Sequence, residues 1–479
     1  MARGVLMRNA FTRRYFLGTA GAAASAALLA EPLFHFGVAE AAVPLVRRDV
    51  DRMNASDPIL LAYRKAIAAM RLLPATNPLS WSYQAAIHGT TLPGMQTAWN
   101  SCEHNTDFFW SWHRMYLYWF ERIIGKMSGE PCWALPYWDW APGSELQLPA
   151  PFRDAATELF IANRNPAINS GAGSLNPGAV SISGAFSSTD FLTANSIIQG
   201  PHGSVHVEVG GWMSSVPTAA QDPIFYLHHS NVDRQWNLWL AQGGGRSDPL
   251  TNSLWRTRQY TFFDEDGNQV NMSACQILRA AEQLNYVYEC EPPQVREFCR
   301  FRPPIWEYVT ELLARIPIPP VELKSEPVSF SIELKQLRRR LESLAESPTE
   351  TVLLELEDVE AESQPGVVWE VYAGLTKDAR AESGSTQYVG SLSLFGAGIR
   401  SEGHKEFKPA HFVYPLNRAL QTALKRNEQN FPITFVPVGI LIDGKPSRPE
   451  VKSPVRIGKA NLLVQTRRES NKKPEEMPE

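Results

Sequence analysis

Histidine placement limits what this chain can fold into more than any other feature. Ten histidines occur in 479 residues, and seven of them lie between positions 88 and 229. They form two groups: His88, His104 and His113, then His202, His206, His228 and His229. His202 and His206 are four apart, so one helical face presents both. His104 and His113 are nine apart, half a turn out of phase at about 100° per residue, so one straight helix cannot aim both at one point. His113 is therefore expected on a helix and His104 on the segment that enters it. Phe109 precedes His113 by four residues, and Phe225 precedes His229 by four. Each Phe-x-x-x-His runs on into an aromatic stretch of helical period, "SWHRMYLYWFERIIGKM" and "HHSNVDRQWNLWLAQGG". The pattern reads as one device used twice, three converging imidazoles with a Phe packed beside one of them. All-imidazole sets without carboxylates suit copper, zinc, iron or nickel, and three histidines per ion leave a position open for chemistry. Two such sets predict two ions sharing a small ligand.

The rest of the chain reads as a frame for that constellation. Residues 42–290 are mainly helical in pattern, and 291–324 form a Pro-rich linker. Beyond it the apolar period changes to two, in "VSFSIEL", "TVLLELEDV", "VVWEVYAG", "YVGSLSLFG", "FPITFVPVGI" and "NLLVQT". A β-sandwich over 325–466 follows, with "LKQLRRRLESLAESP" as a solvated charged insert and 467–479 as a disordered tail. The net charge of −4 argues against a nucleic-acid surface. Residues 1–41 carry "TRRYFLG", a short Ala-rich apolar run and a small-x-small end at Ala39–Ala41, as in a twin-arginine export signal. The expectation is a periplasmic or extracellular protein without a stable membrane anchor. Five cysteines, Cys102, Cys132, Cys275, Cys290 and Cys299, are an odd number for an exported chain, so at least one is unpaired or does other chemistry.

"SWHRMYLYWFERI", "LPYWDWA" and "DPIFYLHHSNVDRQW" resemble the copper-binding signatures of the tyrosinase, catechol oxidase and mollusc haemocyanin superfamily. The segment from "LTNSLWRTRQYTFFDEDGNQV" to "LNYVYE", with "YVGSLSLFG", "EGHKEFKPAHFVYPL" and "FPITFVPVGI", is similar to plant polyphenol oxidases. The resemblance covers roughly residues 45 to 466 and implies a mainly α catalytic domain, a four-helix bundle around a dicopper centre, followed by a β-sandwich. It implies two copper ions, one on His88, His104 and His113 and the other on His202, His206 and His229. His228 would then stand beside the ligands, near the entrance. The Cys-x-His of Cys102 and His104 is similar to the spacing that carries a thioether in fungal tyrosinases, and the other four cysteines could form two disulfides. Phe225 and Val216 are candidates for the substrate wall, with Phe109 packed beside the first site. Asp233, one turn after His229, can hold a nearby imidazole or Arg234 in place.

The expected activity is oxidation of o-diphenols to o-quinones with O2, and the expected partners are O2 and small phenols. Many members of the superfamily have a Glu shortly before the first histidine of the second set, four residues before it in the plant-like pattern, and an Asn directly after that histidine, a pair proposed to deprotonate monophenols. Here those positions are Ile198 and Gly203, which implies weak or lagging monophenol hydroxylation. Glu208 is the alternative base. The rival readings are a tyrosinase with full monophenolase activity, a haemocyanin-like oxygen carrier, and a zinc or iron hydrolase. Residues of "SLSLFGAG" are candidates for a plug by which the C-terminal domain covers the site.

Overall fold

The computed structural model describes residues 43–469, apart from 95, 142, 144–145, 290, 292–305, 376–380 and 401–406. The export signal, Cys290, Cys299 and residues 470–479 lie outside the described residues. No helix among the described residues is long and apolar enough to cross a membrane.

The N-terminal part is built on helices whose ends follow from local chemistry. Pro58–Arg71 starts on Asp57, whose carboxylate accepts from Ile59 N, with Pro58 in the first turn. Trp81–His88 is capped by Ser80, which accepts from Tyr83 N. Phe109–Ser128 stops at Gly129, left-handed with φ 77°. Ile224–Ala241 is primed by Asp222, which accepts from Ile224 N and forms a two-pronged buried pair with Arg164, at 2.8 and 2.7 Å.

Asp233 lies on the Ile224–Ala241 helix but touches no imidazole. The expectation that it holds an imidazole or Arg234 is wrong. Arg234 pairs with Asp139 instead, at 3.2 Å. Asp233 accepts from Arg114 and Arg47 and from the hydroxyls of Tyr286 and Tyr288, each 2.6 Å away. Arg47 also pairs with Glu121 at 2.8 Å. The hub joins two long helices to the strand pair Leu45–Arg47 and Tyr286–Tyr288. Burial raises the Asp233 pKa, but Arg114 and then Arg47 more than offset this, and the net shift is downward. A depressed carboxylate contributes stability above its ordinary range and loses it as pH falls through the lowered pKa. Asp233→Asn is expected to cost about 3–5 kcal/mol in urea unfolding of the metal-free protein, because it leaves two buried guanidinium groups short of negative charge. An unchanged midpoint and slope would contradict that.

The C-terminal part holds a four-stranded and a five-stranded antiparallel sheet. Residues Phe330, Trp369, Val371 and Phe435 of the first share one apolar core with Leu354, Leu356, Leu462 and Val464 of the second. The expected strands form, and the charged insert is the helix Arg338–Glu346. Residues 292–305 of the expected linker lie outside the described residues, and the linker expectation fails for much of 306–324. Trp306–Ile316 is an edge strand paired with Val455–Glu469, and Val321–Leu323 pairs with the same strand. Prolines bracket these strands and disguise them as linker. The expectation of disorder from 467 likewise fails for 467–469, which belong to Val455–Glu469, and the rest of that expectation lies outside the described residues.

Several contacts tie this β part to the helices, among them Gln465 Nε2 donating to Asp190 and Thr193, and Tyr388 donating to the Gly178 carbonyl. Tyr388–Leu392 and the loop after it lie on Gln199–Val209. A Cβ at Gly200 would come 2.6 Å from the Ser391 carbonyl oxygen, and one at Gly203 would come 2.8 Å from Ser393 Oγ. The two glycines thus allow this close approach. Elsewhere Leu441–Ile442 adds as a strand to Gly173–Ser174, and Asn176 Nδ2 donates to the Gly439 carbonyl.

Candidate metal centre

The two histidine groups converge side by side. His88 ends the Trp81–His88 helix, His113 lies one turn into Phe109–Ser128, and His104 sits on the entering segment, as the phase argument requires. His202 and His206 share Gln199–Val209, and His229 lies on Ile224–Ala241. The rings of His113 and His229 stack at 4.2 Å, joining the groups. Each Phe braces both groups. Phe109 lies 4.7 Å from His113 and 4.7 Å from His202, and Phe225 lies 4.4 Å from His229 and 4.7 Å from His88. Phe225 is fully buried among the imidazoles, so it underlies the site instead of walling a mouth.

Backbone carbonyls set the tautomers. Nδ1 of His88 donates to the Val216 carbonyl at 3.1 Å, Nδ1 of His113 to Phe109 at 2.7 Å, and Nδ1 of His206 to Met213 at 2.8 Å. A carbonyl only accepts, so each Nδ1 carries the proton and each Nε2 keeps a bare lone pair. Val216, expected as substrate wall, therefore acts through its backbone on His88. The Nε2 of His229 lies 3.3 Å from that of His202 and 3.4 Å from that of His206. Two nitrogens each about 2.0–2.1 Å from one tetrahedral ion stand about 3.3–3.4 Å apart. Burial lowers the pKa of His113, His202, His206 and His229 well below the ordinary value, with neighbouring imidazoles adding to it. The rings are neutral donors, and the set fits a metal ion.

Cys102 is not disulfide-bonded. Its Sγ lies 3.5 Å from Nδ1 and 3.8 Å from Nε2 of His104, so it faces the ring carbon between them, and it is 3.4 Å from Nε2 of His113. Cys132 is free and exposed, and Cys275 is disulfide-bonded to a partner outside the described residues. Two disulfides among the other four cysteines are therefore excluded.

The remaining sequence candidates are placed differently from expectation. His228 is fully buried, not at an entrance, because Ile224–Ala241 is enclosed on nearly all sides. Ile198 is buried where Gln199–Val209 begins, with no carboxylate in its place. Gly203 lies under Ser393 and Phe395, leaving no room for a side chain. Glu208 accepts from Asn176 N at 2.8 Å, and burial first, then Glu370, push its pKa up to about 8. It thus bonds to the backbone of Asn176 and not to an imidazole, which does not favour it as a base at the site.

One residue that sequence reading left unnamed stands over the site. Phe395, in "SLSLFGAG", stacks on His206 with ring centroids 3.7 Å apart and planes 7° apart, and meets His104 edge-on at 5.3 Å. The next residue, Gly396 (φ 87°), passes so close that a Cβ would lie 2.6 Å from the His104 ring.

Paired three-imidazole sites on buried helices, capped from a β part, define a class of proteins binding two metal ions. The common central domain of tyrosinase matches residues 78–196 and 168–242, the polyphenol oxidase middle domain matches 249–297, and a domain of unknown function matches 319–410. The chain belongs to the tyrosinase and polyphenol oxidase superfamily of type-3 copper proteins. It is 33% identical to a tyrosinase of Hahella sp. (strain CCB-MM4) over 48% of this chain and 61% of that protein. It is 27% identical to the latent form of polyphenol oxidase from Prunus armeniaca over 70% of this chain and 64% of that protein. It thus spans less than two thirds of either relative's length. The structure of latent apple tyrosinase superposes with a TM-score of 0.62 at 22% identity, covering 90% of this chain and 99% of that one, a likeness of fold.

Proposed function

We propose that this chain is a latent copper-dependent polyphenol oxidase that uses O2 to oxidise o-diphenols to o-quinones. The observation that carries this reading is the convergence of the Nε2 atoms of His202 and His206 on that of His229, at 3.3 and 3.4 Å, in a buried all-imidazole site. His88, His104 and His113 hold one copper; His202, His206 and His229 hold the other. When bound, the coppers supply O2 activation and take the two electrons of the diphenol. The chain's own contribution is positioning. Carbonyls of Val216, Phe109 and Met213 orient three imidazoles, while Phe109 and Phe225 exclude water from beneath the site. The helices would form a four-helix bundle and the two sheets a β-sandwich cover, with Phe395 in the place where a phenol ring would stack. Residues 1–41 direct twin-arginine export.

A thioether between Cys102 and the ring carbon of His104 would fix the one ligand that lies off a helix. Forming that bond breaks one S–H and one C–H and passes two electrons and two protons to O2, so the peptide holding both residues is expected to be lighter than its sequence mass by two hydrogens, whereas sulfenic, sulfinic and sulfonic acids add oxygen. A thiol at Cys102 that alkylates in active, copper-loaded protein would contradict it.

Substrate preference follows from the missing base. A monophenol has a pKa near about 10, like Tyr, and must lose its proton to bind copper as phenolate. Neither Ile198 nor Gly203 can accept it. Dopamine is therefore expected to turn over without delay and tyramine slowly, after a lag. Equal rates without a lag would show that the absent Glu is not limiting, and reversible O2 binding without catechol turnover would favour a carrier.

A further inference from the structure

We propose that His228 is a reserve ligand of the second metal site, able to take the place of His229 beside His202 and His206. This rests on reading the histidine groups as copper sites. His228 is fully buried, and both its ring nitrogens lack a hydrogen-bond partner among the described residues. Burying unpartnered polar atoms costs free energy that an apolar ring would not, so the position calls for a partner that the protein alone does not provide. One ligand atom from each of His202, His206, His228 and His229 lies within 4.8 Å of the other three. The His228 ring is stacked at 5.1 Å on His202 and edge-on at 4.7 Å to His206, with Trp140 at 5.4 Å, so it is packed in place. Being one residue from His229, it projects from the same helix about 100° away and reaches the site from another side. A metal could then pass from His229 to His228 without leaving the two ligands on Gln199–Val209.

The test compares copper content of the full chain after copper loading and dialysis against a chelator. Wild type is expected to keep two coppers. His229→Ala is expected to lose catechol oxidation and still keep two, whereas His228→Phe with His229→Ala keeps one, its first site reporting that the fold is intact. His229→Ala already reduced to one copper would overturn the proposal. Wild type holding fewer than two would overturn the dicopper reading and this inference with it. If His229→Ala does not fold, the rate at which the chelator strips the second copper from His228→Phe decides the matter. It should be about tenfold faster than wild type, the scale of losing a supporting group at a metal site. An unchanged rate, or a metal-free His228→Phe protein that unfolds more readily than wild type, would assign the residue to packing alone.

Discussion

His206→Ala is expected to abolish catechol oxidation and lower the copper content from two ions per chain to one, because His228 takes the place of His229 and not of His206. The substitution removes a proposed ligand whose proton is fixed on Nδ1 by the Met213 carbonyl and whose Nε2 lies 3.4 Å from that of His229. Charge stabilisation by a metal is worth several kcal/mol, so losing about 4 kcal/mol lowers the rate on the order of 1,000-fold. His113→Ala should do the same from the other site. His411→Ala is the control, since that half-exposed histidine belongs to neither imidazole group and pairs with Glu355, 2.9 Å away. Metal analysis beside a dopamine assay reads both effects, and near-normal turnover by His206→Ala would exclude the ligand assignment.

The second large effect concerns the cover. Phe395 stacks on His206 in the place proposed for a phenol ring, and the β part is held in part by the Gly200 and Gly203 contacts and by the strand added to Gly173–Ser174. Because Trp306–Ile316 belongs to the cover, a truncation has to end before it. Such a chain, folded and copper-loaded, is expected to oxidise bulky catechols that the full chain hardly touches. Phe395→Ala in the full chain removes a ring whose burial is worth about 1.5–3 kcal/mol. It should raise kcat/KM for a small catechol by roughly 10–100-fold if that burial holds the cover shut. Equal activity of full and truncated chains toward both substrates would remove the case for latency.

Much of the centre was legible because helical geometry converts spacing into direction. The four-residue step from His202 to His206 and the nine-residue step from His104 to His113 fixed which imidazoles share a helix and which cannot. The carbonyls of Val216, Phe109 and Met213 were not legible, since a backbone atom gives no side-chain signal. Asp233 was assigned to a near neighbour along the helix, whereas its partners come from residues 47, 114, 286 and 288. Such pairing depends on tertiary packing. The strand Trp306–Ile316 escaped because it lies at a sheet edge, half exposed, without the alternation that two-sided packing imposes. Phe395 could be narrowed to a stretch and no further, because which residue of a loop reaches a site depends on how two parts dock.

The bare surface of Gln199–Val209 ties two properties of the protein together. One side of this helix presents His202 and His206, while Gly200 and Gly203 admit the cover within contact distance. Any side chain at 203 that could steer a water toward a monophenol would collide with Ser393. A lineage carrying this cover therefore cannot widen its substrate range at that position without first loosening its own restraint. Selection for a broader oxidase and selection for a quiet one act on the same few cubic ångströms.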